Sequence, residues 1–341
     1  MEGAERRWRF LRQPTILVTG GAGYIGSICS AQLIERGYRV VVVDNLSTGF
    51  REAVPDSAAF YQGDIGDSCG MARILRDHDV EVVFHFAAKA LIPESVTNPG
   101  LFFKENVASG VTFLEELRRA RVRKFIFSST AAVYGEPTEV PIPEHHATSP
   151  MNSYGETKLI FERVLGWYVR AYKWGVAAMR YFNASGACLG RGEMHDPETH
   201  IIPLLFQTAT KLRDEFRIFG TDYPTPDGTC IRDFVHVADI ADAHIRAMQL
   251  LDSPRMIAFN IGTGLGHSVR EVIDEVARVT GERLPVRAAE RRLGDPAVLC
   301  ANPQLLMRTL GWKPQHSDLR NIVETAWQFH QGTKECKVVV S

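Results

Sequence analysis

Net charge is almost absent from this sequence. Its 341 residues contain 39 lysines and arginines against 40 aspartates and glutamates. This balance gives no electrostatic footprint for nucleic acid, so we expect no nucleic-acid partner. Long apolar runs are also lacking, and none follows the basic N-terminal cluster at the length that a signal peptide or membrane span needs. We therefore expect a cytoplasmic protein without membrane contact.

Cysteine is sparse, and no two cysteines form a CxxC pair. This scatter is typical of reduced thiols and excludes a disulfide framework or a cysteine metal site. Internal repeats and low-complexity segments do not stand out. The chain is long enough for a full core, which we expect to be divided between two lobes. The six cysteines are Cys29, Cys69, Cys188, Cys230, Cys300 and Cys336.

A glycine turn between two apolar runs is the main feature that the chain does contain. The stretch Thr19–Gly26 follows the apolar run Thr15–Val18 and leads into an amphipathic segment, Tyr24–Arg36. A second apolar run, Tyr38–Val43, ends on Asp44. Strand, turn, helix, strand and acid within about thirty residues is the pattern of a dinucleotide-binding unit.

Each glycine of this turn has an expected role. We expect Gly20 to allow the tight turn, Gly23 to let a pyrophosphate approach the backbone, and Gly26 to let the helix pack closely on the sheet. The N–H groups at the helix N-terminus would face the phosphates. Asp44 is placed to accept hydrogen bonds from the adenosine ribose and to repel a 2′-phosphate, which favours NAD over NADP. The alternative is a strand-end aspartate with no ligand.

Further strands and helices alternate along the chain. Apolar segments at Ala59–Gln62, Val80–His85 and Lys124–Ser129 indicate strands, with helical patterns between them. Such alternation predicts an α/β protein with a Rossmann-type, doubly wound parallel sheet, followed by a smaller C-terminal α/β substrate-binding lobe. Ligands bind beyond the carboxyl ends of such strands. There we expect Asp64 near the adenine and the small residues Phe86–Ala88 close to a ligand.

Tyr154 and Lys158 are four residues apart in a helical stretch that runs towards Tyr172. Residues at this spacing share a helix face. Thr130 follows the strand Lys124–Ser129 and can bring a hydroxyl to the same place. This set suits proton transfer to and from an alcohol that exchanges hydride with NAD. The alternative for a tyrosine and lysine at this spacing is an ordinary surface pair.

The tyrosine would need a strongly lowered pKa. Its ordinary pKa is about 10, so acting as a base near pH 7 requires about 4 kcal/mol of differential stabilisation. We expect Lys158 and the oxidised nicotinamide to favour the phenolate of Tyr154 through their positive charges.

Longer motifs make the sequence resemble the extended short-chain dehydrogenase/reductases and, within them, the UDP-glucose (UDP-galactose) 4-epimerases. The resemblance covers residues 15 to about 329. The glycine turn and the Tyr-x-x-x-Lys pair are shared across the superfamily, whereas Ile218–Thr229 and Arg232–Val237 are particular to the epimerases. The other matching stretches are Asp44–Leu46, Gly63–Ile65, His85–Ala88, Phe127–Gly135, Arg180–Gly186, Asn260–Gly264 and Arg291–Asp295.

The resemblance implies an NAD site and a UDP-sugar site between the lobes. Asn183 and Arg232 would hold the diphosphate, with Arg292 on phosphate and Asp295 on the uridine ribose. His200 and Ile201 would contact substrate, and Arg217–Phe219 would line the uracil pocket. The implied NAD contacts are Gly20, Gly23, Tyr24, Ile25, Gly26, Asp44, Asn45, Ser47, Thr48, Gly49, Asp64, Ile65, Phe86, Ala87, Ala88, Lys89, Asn106, Ser128, Tyr154, Lys158, Tyr181 and Phe182.

Two positions depart from the family pattern. Many members carry a cofactor-contacting lysine where this chain has Ala90, and Lys89 lies one position earlier. The position beside the sugar is Leu299, where members restricted to plain hexoses often carry tyrosine and smaller residues admit N-acetylated sugars. Leucine is intermediate in size, so we expect UDP-GlcNAc and UDP-GalNAc as additional substrates.

The activity implied is reversible, redox-neutral C4 epimerisation of UDP-glucose and UDP-galactose through a transient 4-keto sugar. Tyr154 would take the O4 proton, Thr130 would hydrogen-bond O4, and Lys158 would hold the nicotinamide ribose; no metal is needed. Ala131 and Ala132 stand where a 4,6-dehydratase would carry an acid pair. Epimerases of UDP-arabinose/xylose or UDP-glucuronate remain alternatives, as does a non-enzymatic NAD-binding scaffold.

The domain organisation is predicted in three parts. Residues 1–14, which include the basic cluster Arg6, Arg7, Arg9 and Arg12, are expected to form a solvated extension. Residues 15–186 form the NAD-binding domain, which about 232–262 rejoins, and residues 187–341 form the nucleotide-sugar lobe. The family also implies a homodimer through the helices predicted over Asn106–Ala120 and Tyr154–Tyr172.

Overall fold

The main sheet is built from strands whose side chains are apolar on both faces. A computed structural model describes residues 13–292 and 295–338, so the basic cluster of the predicted extension lies outside the described residues. The strands are β1 Thr15–Thr19, β2 Arg39–Asp44, β3 Ala59–Gln62, β4 Val80–His85, β5 Lys124–Thr130, β6 Gly175–Tyr181, β7 Asn183–Ser185, β8 Phe216–Phe219, β9 Ile231–Arg232, β10 Phe234–His236, β11 Arg255–Ile261, β12 His267–Ser268, β13 Val286–Ala289 and β14 Val298–Leu299.

The helices cover both faces of this sheet and build most of the second lobe. Short 3-10 turns lie at Arg51–Ala53, Ala131–Val133 and Met248–Leu250. The α-helices are α1 Tyr24–Glu35, α2 Ser68–His78, α3 Ile92–Thr97, α4 Pro99–Phe102, α5 Ser109–Arg119, α6 Ser153–Tyr172, α7 Ile201–Ala209, α8 Val237–Ala247, α9 Val269–Thr280, α10 Gln304–Leu310 and α11 Leu319–Val338.

Seven parallel strands form the main sheet in the order β3-β2-β1-β4-β5-β6-β11. The strand order reverses between β1 and β4, which is the switch point where ligands bind in such sheets. Helices α1, α8 and α10 pack on one face, and α2, α5 and α6 pack on the other. The predicted Rossmann-type, doubly wound parallel sheet is therefore confirmed.

Strand β11 returns the chain to the main sheet after the first part of the second lobe. All seven of its residues pair in parallel with β6, from Arg255 opposite Gly175 to Ile261 opposite Tyr181. The sequence analysis predicts that about 232–262 rejoins the NAD-binding domain, and β11 lies within that range. The exact division of the chain into domains stays a prediction.

The second lobe has a hydrophobic core of its own. Helices α7, α9 and α11 enclose Phe206, Val272 and Ile322. Small sheets flank this core: β8 pairs with β13, β7 with β10, and β9 lies between β12 and β14. These short strands hold the loops that face the main sheet.

The helix predicted over Asn106–Ala120 differs in its first part. Residues Phe103–Ala108 form a π-helical stretch, and the α-helix begins only at Ser109. A π-helical stretch contains more residues per turn and often marks a functional site. Within it, the buried side chain of Asn106 bonds inward to the backbone of Lys89.

The structure bears on the expectations about membrane-spanning helices and about the cysteines. Among the described residues, no helix combines the length and the apolar composition needed to cross a bilayer. The cysteines Cys29, Cys69, Cys188, Cys230 and Cys300 are free thiols.

Candidate active site

A cleft of about 1080 Å³ runs along the carboxyl ends of the central strands and below the second lobe. A pocket for one small ligand is typically about 300–1,000 Å³, so this cleft has room for two bound molecules. Every residue predicted to contact cofactor or substrate lines it, with Asn106 and Ile218 as the exceptions. Chain segments far apart in sequence therefore meet at one place.

The glycine turn is fitted tightly to its neighbours. Gly20 has a φ of +71°, and a Cβ there would lie 2.5 Å from the backbone nitrogen of Ala87. A Cβ on Gly26 would lie 2.3 Å from the carbonyl oxygen of Gly20, so this glycine packs the helix against the turn itself. A Cβ on Gly23 would meet only that same oxygen, at 3.4 Å, which leaves its backbone open for a phosphate to approach.

The carboxylate of Asp44 is held by two backbone N–H groups. Ala22 N donates to Oδ2 at 2.9 Å, and Leu46 N donates to Oδ1 at 2.8 Å. Burial raises the pKa of Asp44, and these two hydrogen bonds oppose the rise. Each oxygen keeps a further lone pair for a ribose hydroxyl. The turn and this carboxylate fit the adenosine and pyrophosphate of NAD.

A second carboxylate, that of Asp64, lines the part of the cleft where adenosine is expected. Asn45 Nδ2 donates to Asp64 Oδ2 at 2.9 Å, and Gly66 N donates to Oδ1 at 2.8 Å. Asp64 lies where the sequence predicts it, but part of its hydrogen-bonding capacity is used within the protein. Its contact with the adenine stays a prediction.

Tyr154, Lys158 and Thr130 converge beyond the end of β5. Helix α6 begins after Asn152, whose side chain accepts from Gly155 N at 2.9 Å and so fixes the first turn. Thr130 is the last residue of β5 rather than the residue after it. Lys158 Nζ donates to the Ser128 carbonyl at 2.8 Å and lies 5.9 Å from the centre of the Tyr154 ring.

Burial dominates the protonation of this group. It raises the pKa of Tyr154 to about 12, and the hydrogen bond with Thr130 opposes the rise. Burial also lowers the pKa of Lys158 to about 7, against the opposing effect of the Glu162 charge. The expectation that Lys158 and the oxidised nicotinamide together favour the phenolate of Tyr154 stays a prediction.

A buried polar network lies behind Tyr154, Lys158 and Thr130. Glu162, one turn after Lys158, accepts from Ser129 Oγ at 2.5 Å and from Arg180 Nε at 2.9 Å. Arg180 Nη1 donates to the hydroxyl of Tyr134 at 3.0 Å. This network ties α6, β5 and β6 together close to Tyr154 and Lys158.

The predicted substrate residues lie on the opposite wall of the cleft. Arg232 forms an ion pair with Asp295, so two residues expected to bind different parts of the nucleotide bind each other here. The guanidinium of Arg292 lies 3.9 Å from the centre of the Phe219 ring. Arg217 is half exposed, with its Nε 3.3 Å from Glu215.

The sugar end is lined by short segments of the second lobe. Asn183 begins β7, His200 directly precedes α7, and Ile201 is the first residue of that helix. Leu299 ends β14 and forms part of the wall. Lys89 also lines the cleft, and its contact with the cofactor stays a prediction.

Asn106 lies apart from the other predicted contact residues, and its contact with the cofactor stays a prediction. Its side chain is buried, accepts from Lys89 N at 2.8 Å, and donates to Lys89 O at 3.0 Å and to Thr157 Oγ1 at 3.0 Å. The amide therefore shapes the Lys89 loop from behind the cleft wall.

Several lining residues were missed by the sequence analysis, among them three ionisable side chains of one loop. Glu193, His195 and Glu198 lie beside His200 at the edge of the cleft. They belong to a loop without secondary structure, and no periodicity or spacing in the sequence assigns them to a site.

The fold and the site define a Rossmann-type, dinucleotide-binding protein. The model of the NAD dependent epimerase/dehydratase family matches residues 16–262. The chain therefore belongs to this family, and NAD is its cofactor.

More specific similarity is to UDP-glucose 4-epimerases. The chain is 45% identical to the UDP-glucose 4-epimerase of Corynebacterium glutamicum, over 92% of this chain and 95% of that protein. The structure of the Brucella ovis UDP-glucose 4-epimerase in complex with NAD is 44% identical, with a TM-score of 0.89 over 93% of this chain and 98% of that one. The Stenotrophomonas maltophila enzyme, solved with bound NAD and formylated UDP-arabinopyranose, is 38% identical, with a TM-score of 0.92 over 95% and 100% of the two chains.

Proposed function

We propose that this protein is an NAD-dependent UDP-sugar 4-epimerase that interconverts UDP-glucose and UDP-galactose. The observation that carries the proposal is the convergence of Tyr154, Lys158 and Thr130 in the same cleft as the glycine turn. The similarity to named UDP-glucose 4-epimerases over nearly the whole chain supports it. Bound NAD⁺ supplies the acceptor and donor of the hydride that leaves and returns to C4.

Tyr154 is the acid–base residue in this proposal. Its hydroxyl faces Thr130, whose own hydroxyl is positioned to hydrogen-bond the same sugar oxygen. In the protein alone burial keeps Tyr154 protonated, with a pKa of about 12. A positive charge brought close to a buried phenol favours the phenolate, so Tyr154 becomes a competent base only in the oxidised holoenzyme.

Lys158 positions the cofactor and the end of β5. Its hydrogen bond to Ser128 O fixes the ammonium group at the floor of the cleft, with the Phe127 ring 5.0 Å away. The remaining N–H donors of the ammonium can reach ribose hydroxyls.

Arginines and one carboxylate hold the nucleotide of the substrate. Arg232 and Arg292 present planar guanidinium groups that match phosphate oxygens. Asp295 is already paired with Arg232, so its charge orients that guanidinium towards the cleft. With the nucleotide held at this wall, the 4-keto sugar can turn over without leaving the site.

Leu299 sets the size of sugar that the cleft admits. It lies in the wall beside the sugar end, and it is shorter than the tyrosine found in many hexose-restricted members. We extend the proposal to UDP-GlcNAc and UDP-GalNAc as slower substrates.

The proposed dimer uses the outer face of α6. Trp167 is 65% exposed and Tyr172 is 40% exposed, which leaves two large aromatic rings on the surface near α5. Light scattering of the purified protein tests this part, and Trp167→Lys should shift a dimer towards monomer.

The function is tested by incubating the purified protein with single UDP-sugars, without added cofactor, and following C4 configuration by proton NMR. UDP-glucose should give UDP-galactose, and UDP-GlcNAc should give UDP-GalNAc more slowly. Leu299→Tyr should abolish only the second conversion. Turnover restricted to UDP-arabinose/xylose or UDP-glucuronate would replace the proposed substrates.

A further inference from the structure

Four ionisable side chains form a cluster at the edge of the cleft, away from Tyr154. They are Glu193, His195, Glu198 and His200, here called the Glu/His cluster. Ligand-type atoms of Glu193, His195 and His200 all lie within 4.8 Å of one another. His200 Nδ1 is 3.5 Å from Glu193 Oε2 and 2.9 Å from Glu198 Oε1. Two imidazoles and two carboxylates are therefore directed at one small volume.

The Nδ1 atom of His195 is directed at the Glu193 carboxylate. This nitrogen is buried and in close contact with Glu193 Oε1. That oxygen already accepts from Met194 N at 2.9 Å and from His195 N at 3.0 Å. The imidazole nitrogen and the carboxylate are therefore directed at the same small volume as His200.

The cluster also places carboxylates close to the glycine turn, where a bound diphosphate would add further negative charge. Glu193 and His195 line a small hollow together with Gly23 and Tyr24 of the glycine turn. Tyr24 in turn donates from its hydroxyl to Gly186 O at 2.5 Å, which joins the turn to the chain before the cluster. Carboxylates near a turn that binds a diphosphate repel it, and a divalent cation would offset that repulsion.

We propose that Glu193, His195 and His200 bind one divalent transition-metal ion, with zinc the best match to their donor atoms. Two imidazole nitrogens and one carboxylate are a common zinc ligand set with one position left for water. Glu198 Oε1 lies 2.9 Å from His200 Nδ1 and supplies a further carboxylate beside the three ligands. His200 is 46% exposed in its side chain, which gives the ion a path from the cleft.

The ion has a structural role and no step in the reaction. It holds together the two ends of the loop of residues 192–201, which ends at the start of α7 and lines a small hollow with the glycine turn. The inference rests on the geometry of the cluster and does not depend on the proposed function. Failure of metal binding would leave the epimerase proposal unaffected, and failure of epimerisation would leave the metal site unaffected.

The first test is metal binding by the full-length, tag-free protein after treatment with a chelator. Titration with Zn²⁺ by calorimetry should show one ion per chain, and Co²⁺ should give the strong visible absorption of a tetrahedral site. His195→Gln should weaken the affinity at least about 10-fold, as loss of one ligand predicts. The matched control is His145→Gln, since His145 is an exposed histidine outside the cluster, and it should bind as the wild type does.

Thermal unfolding gives a second readout that is independent of activity. An ion that binds only the native state raises the midpoint in proportion to the logarithm of its concentration. Zn²⁺ should therefore raise the midpoint of the wild type and of His145→Gln, and leave that of His195→Gln unchanged. If His195→Gln does not fold, the Co²⁺ spectrum of the wild type is the test. The strong visible absorption of a tetrahedral site supports the proposal, and its absence overturns it. Absence of saturable binding, or equal binding by both variants, would overturn the proposal and leave the cluster as hydrogen-bonded histidine–glutamate pairs.

Discussion

The Lys158 ammonium group donates to the carbonyl oxygen of Ser128 across 2.8 Å, and so joins helix α6 to the end of β5. This bond holds the charge 5.9 Å from the centre of the Tyr154 ring. The protein alone thus places the two residues side by side without making the tyrosine a base. The remaining positive charge has to come with the oxidised cofactor.

Lys158→Met should lower kcat by ~100-fold, the lower part of the range for losing a group that assists proton transfer. The substitution removes both the charge and the bond to Ser128. The KM for UDP-glucose should change much less, because the nucleotide is held at the opposite wall. Steady-state kinetics measure both constants. Lys104→Met, at a residue whose side chain is 75% exposed, is the control and should behave as the wild type.

Glu162→Gln should reduce the free energy of unfolding by ~3–5 kcal/mol, because it leaves the Arg180 charge buried without its partner. The side chains of this pair are 9% and 6% exposed. The matched control is Glu324→Gln, in the exposed pair with Arg320, which should cost less than ~1 kcal/mol. Urea titrations of the two variants measure both values. Equal small losses would show that the buried network does not hold α6 to β5 and β6.

Acid should destabilise the protein through three buried histidines. Burial lowers the pKa of His85 to about 3 and the pKa values of His236 and His244 to about 4. The unfolded value is about 6.5, so below that pH the unfolded state binds more protons than the native state. Stability is therefore retained above about 6.5 and is lost as pH falls towards 4, by ~1.4 kcal/mol per pH unit for each histidine.

The substitution His244→Phe should remove the contribution of one of the three histidines to this acid destabilisation. The ring of His244 packs against Phe86, with ring centres 5.0 Å apart, so phenylalanine keeps the packing and removes the titrating group. The slope of unfolding free energy against pH, between about pH 6 and 5, should fall by the equivalent of one proton. The exposed His145→Gln should keep the wild-type slope. An unchanged slope in His244→Phe would show that the burial of His244 does not contribute to the acid destabilisation.

Gly26→Ala should release the cofactor. The added Cβ would lie 2.3 Å from Gly20 O, a backbone atom of the turn, so the turn must move. NAD content after denaturation should fall well below one per chain, with a stability loss of ~1–3 kcal/mol for overpacking. Gly166→Ala is the control, because nothing lies within 4 Å of its added Cβ; there NAD should be retained and stability should rise by up to ~1 kcal/mol.

The sequence was most informative where the signal is local. The glycine turn, the run of apolar strands and the acid at the end of β2 are short-range patterns fixed by backbone geometry, and the structure reproduces them. The Tyr154–Lys158 spacing is likewise local to one helix. The match of longer motifs to a family then brought the second lobe into the prediction.

What the sequence did not predict depends on contacts across the fold. Asn106 lies behind the cleft wall because a π-helical stretch turns its side chain inward, and a helical pattern does not show that extra residue. Asp295 pairs with Arg232, which is 63 residues away. The cluster of Glu193, His195 and His200 lies in a loop, where no periodicity marks residues that fold towards one another.

The central claim is that Tyr154 and the retained cofactor carry out a redox-neutral exchange at C4. The most direct measurement is to incubate the protein with UDP-glucose carrying deuterium at C4 and to follow the product by NMR, without added NAD. UDP-galactose that keeps the deuterium at C4, formed by the wild type and at least ~100-fold more slowly by Tyr154→Phe, is the predicted result. Loss of the label to solvent, or equal turnover by Tyr154→Phe, would contradict the account.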